Sequence, residues 1–245
     1  MMPVTGRIHS LETCGMVDGP GIRFLIFTQG CPLRCLYCHN PDTWKRKGGE
    51  EVTAHEIIEK ARTYKNYLLA SGGGITITGG EPLFQADFVQ ALLLEAKAAG
   101  IHTAVDTSGF APPAARKAVL PHADLVLLDI KSAVPTLFKK ISGVSIAYTL
   151  ATLNELKEWN VPVWIRHVIV PGLTDKPEDA EKLAQMLKGY PNIEKVEILP
   201  FHKMGEYKWE QLHEPYTLQE TEAPSDELIH NIRTIFSRTM HIPIQ

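Results

Sequence analysis

Six short, apolar, β-branched runs recur along the chain with helix-like segments between them, and this alternation constrains the fold more than any other feature. The runs are residues 22–28, 75–78, 102–106, 125–130, 161–170 and 195–199. Each is largely unalternating, as strands covered on both faces are. The gaps read as helices. Thr53 and Glu56 form a capping-box signature, followed by one apolar face through Ile57, Ile58, Ala61, Tyr64 and Leu68. A helix over 88–99 is stopped by Gly100, and others are read at 114–120, 135–141, 148–159, 177–187 and 226–238.

Repeated strand–helix–strand units imply parallel strands with right-handed crossovers. Six units are too few for a closed eight-stranded barrel, which leaves an open doubly wound sheet or a partial barrel. Polar and Gly-rich clusters follow strand after strand, at 30–40, 79–82, 106–109, 129–131, 171–175 and 200–202. Site residues gather at that end of barrel-type folds from every strand, whereas a doubly wound sheet concentrates them at its switch point. The pattern therefore favours a curved α/β barrel; the plainer alternative is that the clusters are turn chemistry. With no linker or repeat in view, residues 1–245 read as one domain.

The chain is 44% hydrophobic and 22% charged, with a net charge of −3, so no broad basic footprint for nucleic acid exists. No run approaches the ~18 apolar residues of a membrane span. Residues 1–10 lack the apolar stretch of a secretory signal, and a cytoplasmic location is expected. A core of this size needs no disulfide. The four cysteines, Cys14, Cys31, Cys35 and Cys38, therefore call for another explanation.

Three of them share the window Gly30-Cys31-Pro32-Leu33-Arg34-Cys35-Leu36-Tyr37-Cys38-His39-Asn40. The loop reaches only ~25 Å when stretched, so its thiols can converge. Soft sulfur ligands suit zinc, copper(I) or an iron–sulfur cluster. A structural zinc needs a fourth ligand, from His39 or Cys14. A four-iron cluster on three cysteines leaves one iron open, and no fourth cysteine of a ferredoxin-type carrier follows Cys38. Cys14 itself reads as a small buried hydrophobe.

Cys31-x3-Cys35-x2-Cys38, with Tyr37 before the last cysteine, resembles the signature of the radical S-adenosylmethionine (SAM) superfamily, and Gly79-Gly80-Glu81-Pro82 resembles its second motif. Gly6-Arg7-Ile8-His9-Ser10, Asp18-Gly19-Pro20-Gly21-Ile22-Arg23, Tyr37-Cys38-His39-Asn40, Trp164-Ile165-Arg166 and Leu199-Pro200-Phe201-His202 narrow the resemblance to the glycyl-radical-activating enzymes. Residues 40–71 hold no cysteine, so the ferredoxin-like insertion of several such activases is missing, as in the branch whose partner is pyruvate formate-lyase.

The resemblance implies a partial (β/α)6 barrel and one [4Fe-4S] cluster on Cys31, Cys35 and Cys38. It also implies reductive cleavage of SAM to a 5′-deoxyadenosyl radical that takes a hydrogen from a partner glycine. Tyr37, Cys38 and His39 would line the adenine side, Gly80 the methionine part, Asp129, Ile130 and Lys131 the methionine carboxylate region, and His202 the ribose. Asp106, Thr107, the Leu127 carbonyl and Asp129 would form a monovalent-cation site, since paired carboxylates need a counter-charge. The 18–21 turn would receive the glycine loop. Lys45-Arg46-Lys47 would meet an acidic electron donor such as flavodoxin, although a short charge run is equally a solvated loop. A monomer is expected.

Overall fold

The computed structural model describes residues 3–245. Eight strands form one sheet: β1 (Thr5–Gly15), β2 (Arg23–Thr28), β3 (Glu50–Thr53), β4 (Gly74–Gly79), β5 (His102–Thr107), β6 (Leu125–Asp129), β7 (Val163–Ile169) and β8 (Ile193–Pro200). Their order is β3-β1-β2-β4-β5-β6-β7-β8. From β2 through β8 each neighbouring pair is parallel, and β1 is antiparallel to both β2 and β3. The sheet is open and curved, the partial barrel expected from the clustered strand ends.

The six apolar runs correspond to β2 and β4 to β8. The two antiparallel strands are additional. In β1 only Gly6, Ile8 and Gly15 are buried, so a strand with one wet face carries too little apolar sequence to declare itself. Cys14 lies in this strand and is exposed, which corrects its reading as a small core residue.

The helices are α1 (Ala54–Arg62), α2 (Lys65–Ala70), α3 (Ala86–Ala98), α4 (Pro113–Val119), α5 (Pro135–Ser142), α6 (Ala147–Glu158), α7 (Pro177–Leu187), α8 (Glu206–Gln211) and α9 (Asp226–Thr239). The capping box forms as read: Glu56 N donates to Thr53 Oγ1 at 3.1 Å and Thr53 N to Glu56 Oε2 at 2.8 Å. The apolar face drawn through to Leu68 is broken near Tyr64 into α1 and α2. α8, a single short turn-and-a-half without apolar periodicity, had no sequence signal.

Strand residues divide by parity. Phe24, Ile77, Val105, Leu128 and Ile165 face outward into one large core with Leu92, Leu93, Leu153, Leu183 and Ile232 of the helices. On the inner face, Ala104, Leu125 and Leu127 pack with Trp164 into a small apolar floor. Two positions further along the same faces come Asp106, Asp129 and Arg166, and the interior turns polar. No helix among the described residues is long and apolar enough to cross a membrane. The first two residues of the stretch read for a signal lie outside those described.

Candidate functional site

The C-terminal ends of the parallel strands open into a cavity of about 510 Å³, within the range of small-molecule sites. Its wall takes Cys31, Cys35 and Cys38 from the loop after β2, Gly79 to Glu81 after β4, and Asp106 to Ser108 at the end of β5. Asp129 and Lys131 come from β6, Arg166 and Val168 from β7, and Leu199 to His202 from β8. All six parallel strands contribute. The 171–175 turn is not part of the wall; β7 reaches the cavity from within the strand instead. The side chains of Ile130 and Leu127 are fully buried elsewhere, in the outer core and the inner floor.

The cysteine loop is shaped by backbone ties to distant segments. Gly30 N donates to Thr43 O at 2.7 Å, Cys31 N to Trp44 O at 3.2 Å, Arg34 N to Ser142 O at 3.0 Å and Leu36 N to Ile141 O at 3.0 Å. Trp209 of α8 donates its indole N–H to Cys38 O at 2.8 Å and packs edge-on against Trp44 at 5.0 Å. Burial pushes all three thiols up, Cys35 to about 12, with the charge of Glu81 adding to the effect at Cys31 and Cys35 and Lys131 opposing it at Cys35 and Cys38. Metal is bound by the thiolate form, so loading such a site releases protons. Among the described residues no three His, Cys, Asp or Glu side chains are gathered on one point. A single zinc, about 2.3 Å from each sulfur, would require that.

Glu81 is buried and fully engaged. It accepts from Thr107 Oγ1 at 2.5 Å, Ser108 N at 3.0 Å, Ser108 Oγ at 2.5 Å and Leu83 N at 3.2 Å. Burial outweighs these bonds and holds its carboxyl above the usual range. At Gly80 a Cβ would lie 2.4 Å from Gly30 O, so glycine is required by the neighbouring loop itself, whatever else approaches it. Gly21 is held likewise, at φ +63 with a Cβ position 2.5 Å from Gly73 N, and residues 16–22 form a bend tied to β4 by Thr76 Oγ1 donating to Asp18 O at 2.7 Å.

Arg166 gathers three carboxylates. Nη1 lies 3.1 Å from Asp106 Oδ2 and 3.2 Å from Asp18 Oδ1, Nε lies 3.4 Å from Glu197 Oε2, and Nη2 donates to Val17 O at 3.2 Å. Burial would lower its proton affinity, but the acidic neighbours override that and raise it. Asp106 is raised by burial despite the arginine. Lys131 pairs with Asp129; burial works against its charge, yet Asp129 holds the ammonium well above the usual lysine range. The counter-charge that Asp106 and Asp129 need is thus supplied by Arg166 and Lys131, and Thr107 Oγ1 is committed to Glu81.

The Tyr37 ring packs with Ile141, Val170, Phe201 and Leu218, with Lys131 Nζ 5.4 Å from its centroid, so it is a wall more than an open stacking platform. Its hydroxyl and Asp129 Oδ1 are buried without a hydrogen-bond partner. His39 and His202 are both exposed and stack at 4.1 Å, and His39 Nε2 meets His202 O at 3.0 Å. Partial burial lowers the His39 imidazole. Sequence reasoning did not assign Arg166, Glu81, Trp44 or Trp209 to the site. A charged residue inside the otherwise apolar run of β7 was the available signal for Arg166, since such a group is rarely buried unless paired. Nothing in the sequence announced the two tryptophans.

The Radical SAM superfamily profile matches residues 25–187. The chain is 44% identical to the pyruvate formate-lyase-activating enzyme of Staphylococcus epidermidis, over 98% of both chains. It is 43% identical to the pyruvate formate-lyase 1-activating enzyme of Escherichia coli K12, again over 98% of both. A crystal structure of a domain of pyruvate-formate lyase-activating enzyme from Bacteroides vulgatus aligns with a TM-score of 0.60 at 25% identity, covering 71% of this chain and 98% of that one. Three cysteines on a cavity at the strand ends of a partial barrel, together with identity along nearly the whole length, place the chain in the radical SAM superfamily and, within it, in the family of pyruvate formate-lyase-activating enzymes.

Proposed function

We propose that the chain installs a glycyl radical on pyruvate formate-lyase under anaerobic conditions, holding one [4Fe-4S] cluster on Cys31, Cys35 and Cys38 with SAM in the adjoining cavity. The observation that carries this is the placement of three half-buried cysteines on one cavity lined from all six parallel strands. The residues fit both groups. The thiols are the soft donors an iron–sulfur cluster takes. Glu12, Asp18, Glu81, Asp106 and Asp129 face Lys131 and Arg166 around the cavity, an acidic excess that suits a ligand carrying sulfonium and ammonium charge. The unpartnered Asp129 Oδ1 is an acceptor awaiting a donor.

When bound, the cluster and SAM supply an electron and a 5′-deoxyadenosyl radical that removes one hydrogen atom from the partner's glycine. The protein's part is to position and to exclude water. Lys131 presents its ammonium to the methionine carboxylate, and Asp129 accepts from the amino group. Backbone around Tyr37, Cys38 and His39 holds the adenine, His202 the ribose, and Gly80 the methionine chain. Backbone groups of Ile130 and Leu127 take part rather than their side chains. A monovalent cation at Asp106, Thr107, Leu127 O and Asp129 would share Asp106 with Arg166 and Asp129 with Lys131. Val17 and Asp18 at the cavity mouth meet the glycine loop. We read the protein as a single-domain cytoplasmic monomer that receives its electron from a reduced carrier such as flavodoxin.

The test is anaerobic reconstitution, reduction and incubation with SAM and pyruvate formate-lyase, followed by electron paramagnetic resonance. A glycyl-radical doublet is expected. An intact cluster that produces no doublet sinks the partner assignment, and about one zinc per chain without iron or sulfide sinks the mechanism.

A further inference from the structure

Residues 31–38 form no helix or strand, and among the described residues the one backbone–backbone hydrogen bond inside that stretch runs from Cys38 N to Cys35 O at 3.1 Å. A stack of side chains from three parts of the chain braces it instead. The Arg34 guanidinium lies 4.7 Å over the Trp44 ring, Trp44 meets Trp209 edge-on at 5.0 Å, and Trp209 leans on Tyr216 at 5.2 Å. Each cysteine is tied to this stack. Cys31 N donates to Trp44 O at 3.2 Å and Cys31 O accepts from Arg34 Nη1 at 3.0 Å. Arg34 is the residue before Cys35, and Cys38 O accepts from the Trp209 indole N–H at 2.8 Å.

Trp209 sits on α8, which at six residues is too short to stand by itself. The helix is seated on the cysteine loop and the turn after it. Lys208 Nζ reaches Asn40 Oδ1 at 2.9 Å and Asp42 Oδ2 at 3.1 Å, and a Cβ on Gly205 would lie 2.6 Å from His39 Cα, so backbone rests on backbone there. Trp209 is only 6% exposed, and a buried N–H left unpaired is costly, so the indole fixes the direction of the Cys38 carbonyl. That peptide carries the last thiol of the window. Burial pushes the Cys38 thiol up, and bonds from the Asn40 N–H and the Trp44 side chain pull it back.

We propose that Trp209, braced on Trp44, is the positioning residue for Cys38: its indole N–H holds the carbonyl of the last ligand, and its ring closes that side of the loop to water. The inference rests on the reading of the three cysteines as cluster ligands. Groups that orient a metal's ligands set how firmly the metal is held, and hydrogen bonding and burial around the sulfurs set the potential of an iron–sulfur centre. Cys31 keeps its tie to Trp44 O, and the Cys35 neighbours Arg34 and Leu36 keep theirs to Ser142 O and Ile141 O, when the indole is lost. The loosening is therefore confined to Cys38.

Trp209→Phe keeps an aromatic ring and removes the donor. Trp159→Phe, at the end of α6 against the outer core, is the control. In the apoprotein, iodoacetamide labelling resolved by peptide mass should quicken about fivefold or more at Cys38 and less than about twofold at Cys31 and Cys35. In iron-loaded protein, release of iron to a chelator should quicken about tenfold or more. The cluster's midpoint potential, titrated by electron paramagnetic resonance, should move away from that of wild type, while the control matches wild type throughout. Lys208→Met, which frees α8 from Asn40 and Asp42 and leaves both tryptophans in place, should give the same pattern in smaller measure, and it decides by the same criteria if Trp209→Phe does not fold. Labelling that rises equally at all three cysteines overturns the proposal, since that marks a general loosening. A chain that takes up no iron or sulfide overturns the cluster reading and this role with it, whereas iron-loaded Trp209→Phe that keeps its iron and its potential like wild type overturns the positioning role alone.

Discussion

Two arginines are buried on the inner face of the same sheet, one near each end, and their surroundings treat them oppositely. Arg23, at the start of β2, is held by neutral groups: Nε donates to Thr76 Oγ1 at 2.9 Å, Nη1 to Pro20 O at 3.2 Å, and Nη2 to Ile75 O. Burial lowers its proton affinity to about 10, with Asp124 and Asp18 only partly opposing. Arg166, on β7, is surrounded by Asp18, Asp106 and Glu197, and its proton affinity is raised. The closed end solves a packing problem with dipoles. The open end keeps more acid than base around a cavity, and that excess is what a cationic ligand can answer.

The largest effect expected at the open end comes from Cys35→Ala. Iron uptake and SAM cleavage should be lost, while the apo chain unfolds within about 1 kcal/mol of wild type, because the core does not depend on metal. Iron analysis beside denaturant titration checks both halves; a normal cluster in the variant contradicts the ligand assignment.

Exchanging the arginines for methionine separates the two ends. Arg166→Met leaves three carboxylates without their cation and should cost about 3–5 kcal/mol, and SAM cleavage per folded molecule should fall at least about a hundredfold. Arg23→Met leaves carbonyls and a hydroxyl dry, a loss of about 1–3 kcal/mol, with turnover per folded molecule within about twofold. Equal losses of activity in the two variants would erase the distinction drawn between the ends.

Lys131→Met tests the ligand side of the open end. SAM affinity of the iron-loaded protein should weaken about tenfold or more, as expected for losing a charge-assisted hydrogen bond. Titration calorimetry reads it directly, and unchanged affinity removes Lys131 from the methionine carboxylate.

The smallest effect lies on the outer face. His167 donates from Nδ1 to Ile130 O at 2.8 Å, which fixes the Nδ1–H tautomer, and burial depresses its imidazole below the usual 6.5. The unfolded chain then binds the proton more readily, so stability present above about pH 6.5 declines as the pH falls below it, by up to about 1.4 kcal/mol per unit. His39 and His102 are also depressed by burial and share the window. His167→Asn keeps a donor near Ile130 O and should flatten the decline; an unaltered slope assigns it to other groups.

Much of the architecture was legible because its signals are local. The six parallel strands, the Thr53 capping box and the Gly100 stop are each written in a few adjacent residues, where β-branching, side-chain caps and φ > 0 act. β1 was not legible, since its wet face and few buried residues resemble a loop. Nor was the engagement of Arg166, whose partners Asp18, Asp106 and Glu197 are each 31 or more residues away in the chain.

The strand–helix alternation, the polar strand ends and a three-cysteine window short enough for its thiols to converge are all written in the sequence. The three-dimensional fold had to be seen to learn that Gly80 is glycine for the sake of Gly30, that Tyr37 is a wall, and that the end of α5 is tied to the cysteine loop through Ser142 and Ile141. Short-range covalent reach and periodicity act within a segment. Burial, counter-charge and shared surface depend on which segments the fold sets side by side.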